Sequence, residues 1–257
     1  MSTDIADLVI KETLIWARSE LVDSSPSVPL DCELLLSFVL KQERIYLWTW
    51  PEKAISQHEL LAFESLIEDR KNGVPIAYLL GKREFWGLPL SVTRDTLIPR
   101  PETELLVELV LGKATAEKKY RISDLGTGSG AIALALAHEL AESTIVATDN
   151  SWAALSVAKQ NAESLNINNV QFKQGSWCEP LSTADYDFIV SNPPYINKSD
   201  PHLKQGDVRY EPRSALVAED QGIADIDAII RQAPHHLKPG GMIAFEHGFE
   251  QAALVRD

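Results

Sequence analysis

The sequence has little cysteine, no long apolar run and no N-terminal signal. Its 257 residues include only two cysteines, Cys32 and Cys178, whose separation favours reduced, buried thiols over a disulfide. Apolar runs such as 131–137 are too short to span a bilayer. No basic segment leads into an apolar one at the N-terminus, so we expect no secretory signal and no membrane association. Together these absences favour a cytoplasmic protein.

The sequence also lacks metal-ligand clusters and is short of basic residues. His235 and His236 are adjacent rather than one helical turn apart, so we predict no metal site. The 24 Lys and Arg residues against 37 Asp and Glu residues give a net charge of −13. An acidic surface repels phosphate backbones, which disfavours direct nucleic-acid binding, and it attracts basic proteins.

The first part of the chain is predicted to be helical. Asp31 is interpreted as the N-cap of a helix over 32–41, and Ser56 with Glu59 as a capping box that begins a helix at Gln57. No residue in this part has an obvious chemical role. We therefore expect a substrate-recognition domain over residues 1–75.

A hairpin and then an α/β pattern follow. Residues 83–95, with a turn at Trp86-Gly87, predict a β-hairpin inside a linker over 76–97. From residue 120 onward strands alternate with helices, which predicts a mostly parallel sheet with helices on both faces, in a domain over residues 98–257. The intervening segment 197–221 is long for a compact domain, so we expect it to form a substrate-facing lid.

Four consecutive residues, Asn192-Pro193-Pro194-Tyr195, follow a predicted strand. The two prolines fix the backbone and supply no N–H donor. Such a segment suits the binding of a planar group that carries an NH2, although Asn-Pro is also common in turns that simply end a strand. The residues by themselves are consistent with either role.

A glycine-rich loop, 124–130, follows the first predicted strand of the α/β region. Asp149 lies after the second strand, where its carboxylate can accept hydrogen bonds from both hydroxyls of a ribose. This pattern also fits a pyridine-nucleotide enzyme. However, Asp124 suits the cationic end of S-adenosylmethionine better than a pyrophosphate, and hydride transfer gives no reason for the segment 192–195.

The order of these motifs resembles that of class I S-adenosylmethionine-dependent methyltransferases acting on planar NH2 groups. More narrowly, the chain is similar to the release factor glutamine N5-methyltransferases, the HemK family. The resemblance runs from about Leu34 to the end and rests on the segments 98–104, 124–130, 191–196, 206–212 and 215–218. It implies a Rossmann-like class I methyltransferase domain, preceded by a small helical domain and a linking hairpin.

The resemblance also implies an activity and a set of site residues. The activity is methyl transfer from S-adenosylmethionine to N5 of the glutamine in the Gly-Gly-Gln motif of class-1 peptide chain release factors, with S-adenosylhomocysteine as the product. The residues implied in catalysis are Asn192, Pro193 and Tyr195, which with Pro194 also bind the substrate. Those implied in cofactor binding are Gly126, Thr127, Gly128, Ser129, Gly130, Asp149, Trp177 and Asn192.

Two alternatives and one departure accompany this interpretation. An N6-adenine nucleic-acid methyltransferase would use the same segment 192–195, but no basic target-recognition region is visible. A non-catalytic binding subunit with the same fold is disfavoured by the intact motifs. The family usually ends with two further strands after a helix that begins near Phe249, so with Asp257 as the last residue we expect those strands to be missing.

Overall fold

The computed structural model describes residues 8–115, 118–182 and 184–256. It separates into two compact units, Met1–Gly81 and Lys82–Asp257. The predicted domain bounds at residues 1 and 257 lie outside the described residues, and the division at 75, 76–97 and 98 stays a prediction. Among the described residues, no helix combines the length and the apolar character needed to cross a bilayer.

The first unit is helical. Buried side chains on four of its helices, including Leu14, Leu35 and Phe63, contribute to its core. The predicted capping box is confirmed, because Ser56 Oγ accepts from the Glu59 amide at 3.3 Å and the Glu59 carboxylate accepts from the Ser56 amide at 2.9 Å. The described helices are α1 (Ile10–Leu21), α2 (Val28–Leu40), α3 (Arg44–Thr49), α4 (Gln57–Lys71) and α5 (Ile76–Leu80).

The predicted start of α2 is wrong. The helix begins at Val28, so Asp31 lies within its first turns and is buried rather than capping. The Asp31 carboxylate accepts hydrogen bonds from the hydroxyls of Ser25 and Ser27 and from Arg70 Nε at 2.8 Å. A partner on α4 therefore determines the position of this carboxylate, and that long-range contact could not be read from local capping patterns.

The second unit begins with the predicted hairpin and continues as an α/β domain. The hairpin strands pair in an antiparallel register around Trp86-Gly87, as expected. A 3₁₀ turn at Pro101–Thr103 leads into α6. The elements are β1 (Lys82–Phe85), β2 (Leu88–Ser91), α6 (Glu104–Leu111), β3 (Arg121–Leu125), α7 (Ala131–Glu139), β4 (Thr144–Asp149), α8 (Trp152–Ser164), β5 (Val170–Gln174), β6 (Tyr186–Ser191), β7 (Ile196–Asn197), β8 (Val217–Ala218), α9 (Ala224–Gln232), β9 (Leu237–Phe245) and α10 (Ala252–Arg256).

The main sheet has the order β5-β4-β3-β6-β9, and each neighbouring pair is parallel. The predicted parallel sheet is thus confirmed. The chain proceeds outward from β3 to β5 and then returns to β6 on the other side of β3. In such sheets a crevice forms at the carboxyl ends of the two central strands, where the order reverses.

Both faces of this sheet are covered. Along β6, Phe188 and Val190 belong to a core shared with the hairpin, α6 and α7, whereas Ile189 belongs to a core shared with α9. Burial on both faces explains why the central strands β3, β4 and β6 are largely apolar. The rigid sheet holds the residues that follow its strands in fixed positions.

The segment 197–221 contains short regular elements instead of an irregular loop. Strand β8 pairs in parallel with β7, and 3₁₀ turns occupy Pro201–Lys204, Asp207–Tyr210 and Arg213–Ala215. Its substrate-facing role stays a prediction.

Candidate active site

The carboxyl ends of the five parallel strands bring the predicted site residues to one edge of the sheet. The glycine loop follows β3, Asp149 ends β4, Trp177 follows β5 and Asn192 follows β6. Glu246 follows β9 and is held beside β6, because its amide donates to the Ser191 carbonyl at 3.0 Å. Sequence reasoning identified the first four of these positions and missed Glu246.

A cavity of about 340 Å³ lies at this edge. The predicted residues that line it are Gly126, Thr127, Gly128, Ser129, Asp149, Trp177, Asn192 and Pro194. Gly130 does not line it. A Cβ at this position would lie 3.0 Å from Leu134 Cδ1 and 3.2 Å from Ala158 Cβ, so Gly130 permits close packing of the loop against α7 and α8.

The loop approaches an aromatic ring at Gly126. This residue has φ +69°, and a Cβ on it would lie 3.2 Å from Trp177 Cζ3. Trp177 also has a positive φ of 46°, which is uncommon for a bulky residue. Because such conformations persist only where the surrounding structure imposes them, the backbone at Trp177 is held in place by its surroundings.

Asp149 is held by two backbone donors. Its Oδ2 accepts from the Gly128 amide at 2.9 Å and its Oδ1 from the Ser151 amide at 2.8 Å. Burial raises the pKa of the Asp149 carboxyl, and these two hydrogen bonds oppose the rise. Each carboxylate oxygen keeps a lone pair for a ligand in the cavity.

Asp124 lies behind the loop and does not line the cavity, contrary to the expectation that it contacts a cationic ligand. It is fully buried, and its Oδ2 accepts from Thr127 Oγ1 at 2.6 Å and from the Ala133 amide at 3.1 Å. Burial raises the pKa of Asp124 to about 7. Its observed role is to hold the glycine loop against the start of α7.

The cavity is acidic. Asp95, Asp149 and Asp225 line it, and Arg100 also lines it. Burial raises the pKa of Asp225, and a hydrogen bond from the Trp177 side chain opposes the rise. Asp225 therefore helps to orient the indole, a role that sequence reasoning missed because α9 carries no motif.

A second cavity, of about 140 Å³, adjoins the first. Pro193 and Tyr195 line this smaller cavity, together with Val208 and Leu216 from the segment 197–221. Asn192 and Arg100 line both cavities. The structure therefore places Asn192 at the junction, with the glycine loop on one side and the rest of the segment 192–195 on the other.

Asn192 belongs to a hydrogen-bonded network. Its Nδ2 donates to Thr103 Oγ1 at 3.1 Å, and Thr103 Oγ1 donates to Glu246 Oε2 at 2.8 Å. The hydroxyl of Tyr195 donates to Glu246 Oε1 at 2.9 Å. Thr103 lies in the segment 98–104 that carries the family resemblance, whereas Glu246 lies in no motif, and neither was proposed as a site residue.

Arg100 joins the site to the segment 197–221. Its Nη2 lies 2.7 Å from both oxygens of Glu211, a side chain that is 0% exposed. Burial raises the pKa of Glu211, and the charge of Arg100 opposes the rise. Within the described ranges, no three His, Cys, Asp or Glu side chains are grouped as metal ligands.

Two family profiles match the chain. The PrmC N-terminal domain matches residues 12–81, and a methyltransferase domain matches residues 116–256. Among solved structures, the hMettl16 catalytic domain in complex with MAT2A 3′UTR hairpin 1 has a TM-score of 0.53 and 19% identity, covering 78% of this chain and 71% of that one. This likeness shows the fold alone.

Curated relatives are much more similar. The release factor glutamine methyltransferase of Shewanella oneidensis is 49% identical over 247 residues, 96% of this chain and 86% of its own length. That of Yersinia pestis is 53% identical over 233 residues, 91% of this chain and 84% of its own length. With this identity over most of its length and both domain profiles matched, the chain belongs to the release factor glutamine methyltransferase family.

Proposed function

We propose that this chain transfers a methyl group from S-adenosylmethionine to N5 of the glutamine in the Gly-Gly-Gln motif of class-1 peptide chain release factors. The observation that carries the proposal is the position of Asn192, which lines both cavities while its Nδ2 is bound to Thr103. A residue at this junction can hold a planar amide on one side and face a cofactor on the other.

The larger cavity fits S-adenosylmethionine. Its volume of about 340 Å³ lies in the range of small-molecule sites. Three aspartates line it, which suits a ligand with a sulfonium and an ammonium group and disfavours the pyrophosphate of a dinucleotide. Gly126 leaves room beside the Trp177 ring that a Cβ would take.

We assign cofactor binding to the lining residues of this cavity. Asp149 would accept hydrogen bonds from the ribose hydroxyls, and the Trp177 ring would lie against the adenine. Gly126, Thr127, Gly128 and Ser129 would contact the methionine part, while Gly130 acts indirectly through packing. When bound, S-adenosylmethionine supplies a methyl group already activated by the sulfonium charge.

The residues of this chain then have a positioning task. An amide nitrogen is a weak nucleophile because its lone pair is delocalised into the carbonyl. In the smaller cavity, Asn192 Oδ1 and the Pro193 carbonyl would accept the two N–H bonds of the glutamine amide, which fixes its nitrogen and raises its electron density. Tyr195 would flank the amide plane in this cavity, and Pro194 would contact the amide from the side of the larger cavity, which it lines. Orientation of this kind can supply up to about 7–11 kcal/mol of rate acceleration.

The substrate class follows from charge. N6-adenine methyltransferases need basic surface to hold a flipped base, whereas this chain carries a net charge of −13. A basic release factor is the better electrostatic match, and we propose no direct nucleic-acid contact. The helical first unit would contribute to substrate recognition. The methyl-transfer reaction would take place in the cytoplasm, where release factors act.

The decisive experiment offers labelled S-adenosylmethionine to the chain with a class-1 release factor and, in parallel, with duplex DNA. We expect label in the release factor, with mass spectrometry placing the methyl on the glutamine of the Gly-Gly-Gln motif. Label in DNA alone would move the assignment to adenine methylation.

Calorimetry with S-adenosylmethionine separates an enzyme from a non-catalytic subunit. We expect binding that is weakened in Asp149→Ala but retained in Asp227→Ala, an exposed aspartate of α9 that pairs with Arg231. Failure of the unmodified chain to bind S-adenosylmethionine would favour a binding subunit that only keeps the fold.

A further inference from the structure

Glu246 occupies a position from which it contacts two parts of the site. It follows β9, and its amide donates to the Ser191 carbonyl, directly before Asn192. Its side chain is half-buried. The parallel pairing of β6 with β9 thus fixes the Glu246 backbone relative to the segment 192–195.

The two carboxylate oxygens of Glu246 each accept one hydroxyl. Oε2 accepts from Thr103 Oγ1 at 2.8 Å and Oε1 accepts from the Tyr195 hydroxyl at 2.9 Å. An ionised carboxylate has no proton to give, so both hydroxyls must be the donors. Burial and the nearby Glu246 charge raise the pKa of the Tyr195 phenol, which keeps it in the protonated, donating form.

The direction of these hydrogen bonds determines the orientation of the Asn192 amide. Thr103 has a single hydroxyl proton, and that proton is used on Glu246. The Thr103 oxygen can then only accept from its other neighbour, the Asn192 amide group 3.1 Å away. If the amide were rotated by half a turn, its Oδ1 would face Thr103 Oγ1 with no proton between the two oxygens. Nδ2 therefore faces Thr103, and Oδ1 faces away from it.

We propose that Glu246 is a positioning residue that acts through Thr103 to keep the Asn192 oxygen directed at the substrate amide. This inference rests on the proposed function and adds to it the reason why the amide has one orientation. Without the Glu246 charge, Thr103 is free to donate to Asn192 Oδ1. The Asn192 NH2 would then face the NH2 of the substrate, and two donors would oppose each other.

The test compares four single variants and one double variant with the unmodified chain. Glu246→Gln keeps the shape of the side chain but replaces the carboxylate, which can only accept hydrogen bonds, with an amide. Thr103→Val removes the hydroxyl that connects Glu246 to Asn192, and Thr103→Ser keeps that hydroxyl. Asp187→Asn is the matched control, since Asp187 is a buried carboxylate at the start of β6 that accepts from Lys238 and from the Arg121 amide, at the opposite end of that strand. Thermal unfolding establishes that each variant is folded.

We expect Glu246→Gln and Thr103→Val to lower kcat about 10- to 100-fold, comparable to the loss of an orienting partner of a metal ligand. The KM for S-adenosylmethionine should stay within about twofold, because the lost interaction lies on the substrate side. Thr103→Ser should recover most of the kcat that Thr103→Val loses, and Asp187→Asn should retain kcat. The double variant Glu246→Gln/Thr103→Val should be no slower than the slower single one, because both changes interrupt the same chain of hydrogen bonds.

A spectroscopic readout keeps this test separate from the proposed function. In ¹⁵N-labelled protein, the Asn192 side-chain NH2 signals should shift in Glu246→Gln and Thr103→Val but not in Asp187→Asn. An inactive unmodified chain would refute the proposed function and leave this prediction in force. Unchanged Asn192 signals, full activity of Glu246→Gln, or additive losses in the double variant would overturn the role of Glu246.

Discussion

At the scale of single residues, the nitrogen and the oxygen of the Asn192 side-chain amide have different roles. Nδ2 is anchored by Thr103, whereas among the described residues Asn192 makes no second side-chain hydrogen bond. Oδ1 is thus the atom left for a ligand. The chemistry assigned to this chain depends on this one acceptor and on the fixed backbone of Pro193.

Replacement of Asn192 tests this dependence. We expect Asn192→Ala to lower kcat by about 10²–10³, as when one polar group that stabilises a transition state is removed. Asn192→Asp should keep an acceptor oxygen but lose the donation to Thr103 and add a charge near the cofactor. Steady-state kinetics and thermal unfolding check both, with Asn168→Ala as the control, because Asn168 is exposed. A folded, fully active Asn192→Ala variant would refute the assigned mechanism.

Asp124 gives a prediction about pH. Burial raises its pKa from 3.8 to about 7, so the folded state binds this proton more tightly than the unfolded state. The resulting stability is fully present below the unfolded pKa and is lost as the pH rises through the folded pKa. The free energy of unfolding of the unmodified chain, relative to that of Asp124→Asn, should fall by about 2–3 kcal/mol between pH 5 and pH 8. Urea unfolding at several pH values measures this, and parallel curves for the two proteins would contradict it.

Some site residues could be recognised from a local sequence pattern, and others could not. The glycine loop, Asp149 and the segment 192–195 each follow a predicted strand, so position along the chain was enough to propose them, whereas Trp177 was implied by the family resemblance. Thr103, Asp225 and Glu246 each contact a partner that is far away in sequence. No single segment of the sequence contains both a residue of this group and its partner. For the same reason the burial of Asp124 could not be foreseen, since it depends on how α7 packs against β3.

At the scale of elements, the contact between Arg100 and Glu211 holds the segment 197–221 at the site. Both Glu211 oxygens lie 2.7 Å from one guanidinium nitrogen, and the carboxylate is fully buried. Removal of one partner of a buried pair leaves an uncompensated charge, which costs about 3–5 kcal/mol. The segment should therefore be stable only while Arg100 is present.

Hydrogen exchange tests this anchoring. We expect Arg100→Met to increase amide exchange about 100-fold within residues 207–216, corresponding to roughly 3 kcal/mol of local stability. Lys198→Ala is the matched control, because Lys198 pairs with Glu219 in the same segment but both side chains are exposed, at 65% and 71%. If both variants exchange alike, the ion pair is not the anchor.

The elements themselves were largely predictable. The central strands β3, β4 and β6 are buried on both faces and are largely apolar, and turn residues separate them from the helices. Helix α4 begins where its capping box predicts. The start of α2 was missed because Asp31 resembles an N-cap in sequence, yet its carboxylate is bound by Arg70 from another helix.

At the scale of the whole molecule, the alternation of strands and helices predicted a parallel sheet but not its strand order. The order β5-β4-β3-β6-β9 explains why the glycine loop and the segment 192–195, far apart in sequence, lie at the same crevice: β3 and β6 are neighbours. The two motifs could be recognised in the sequence alone. The position of Asn192 between the two cavities became visible only with the strand order.

The net charge of −13 predicts how the chain meets its substrate. An acidic enzyme accelerates the encounter with a basic protein, and salt screens that attraction because the Debye length falls to about 8 Å near 0.15 M. We therefore expect the KM for a class-1 release factor to rise about 3- to 10-fold between 50 and 300 mM NaCl, with kcat nearly constant, since steering affects association rather than chemistry. The KM for S-adenosylmethionine, which binds through short-range contacts in a cavity, should change much less. A KM for the release factor that is independent of salt would mean that the acidic surface does not recruit the substrate, and recognition would then have to rest on apolar contacts.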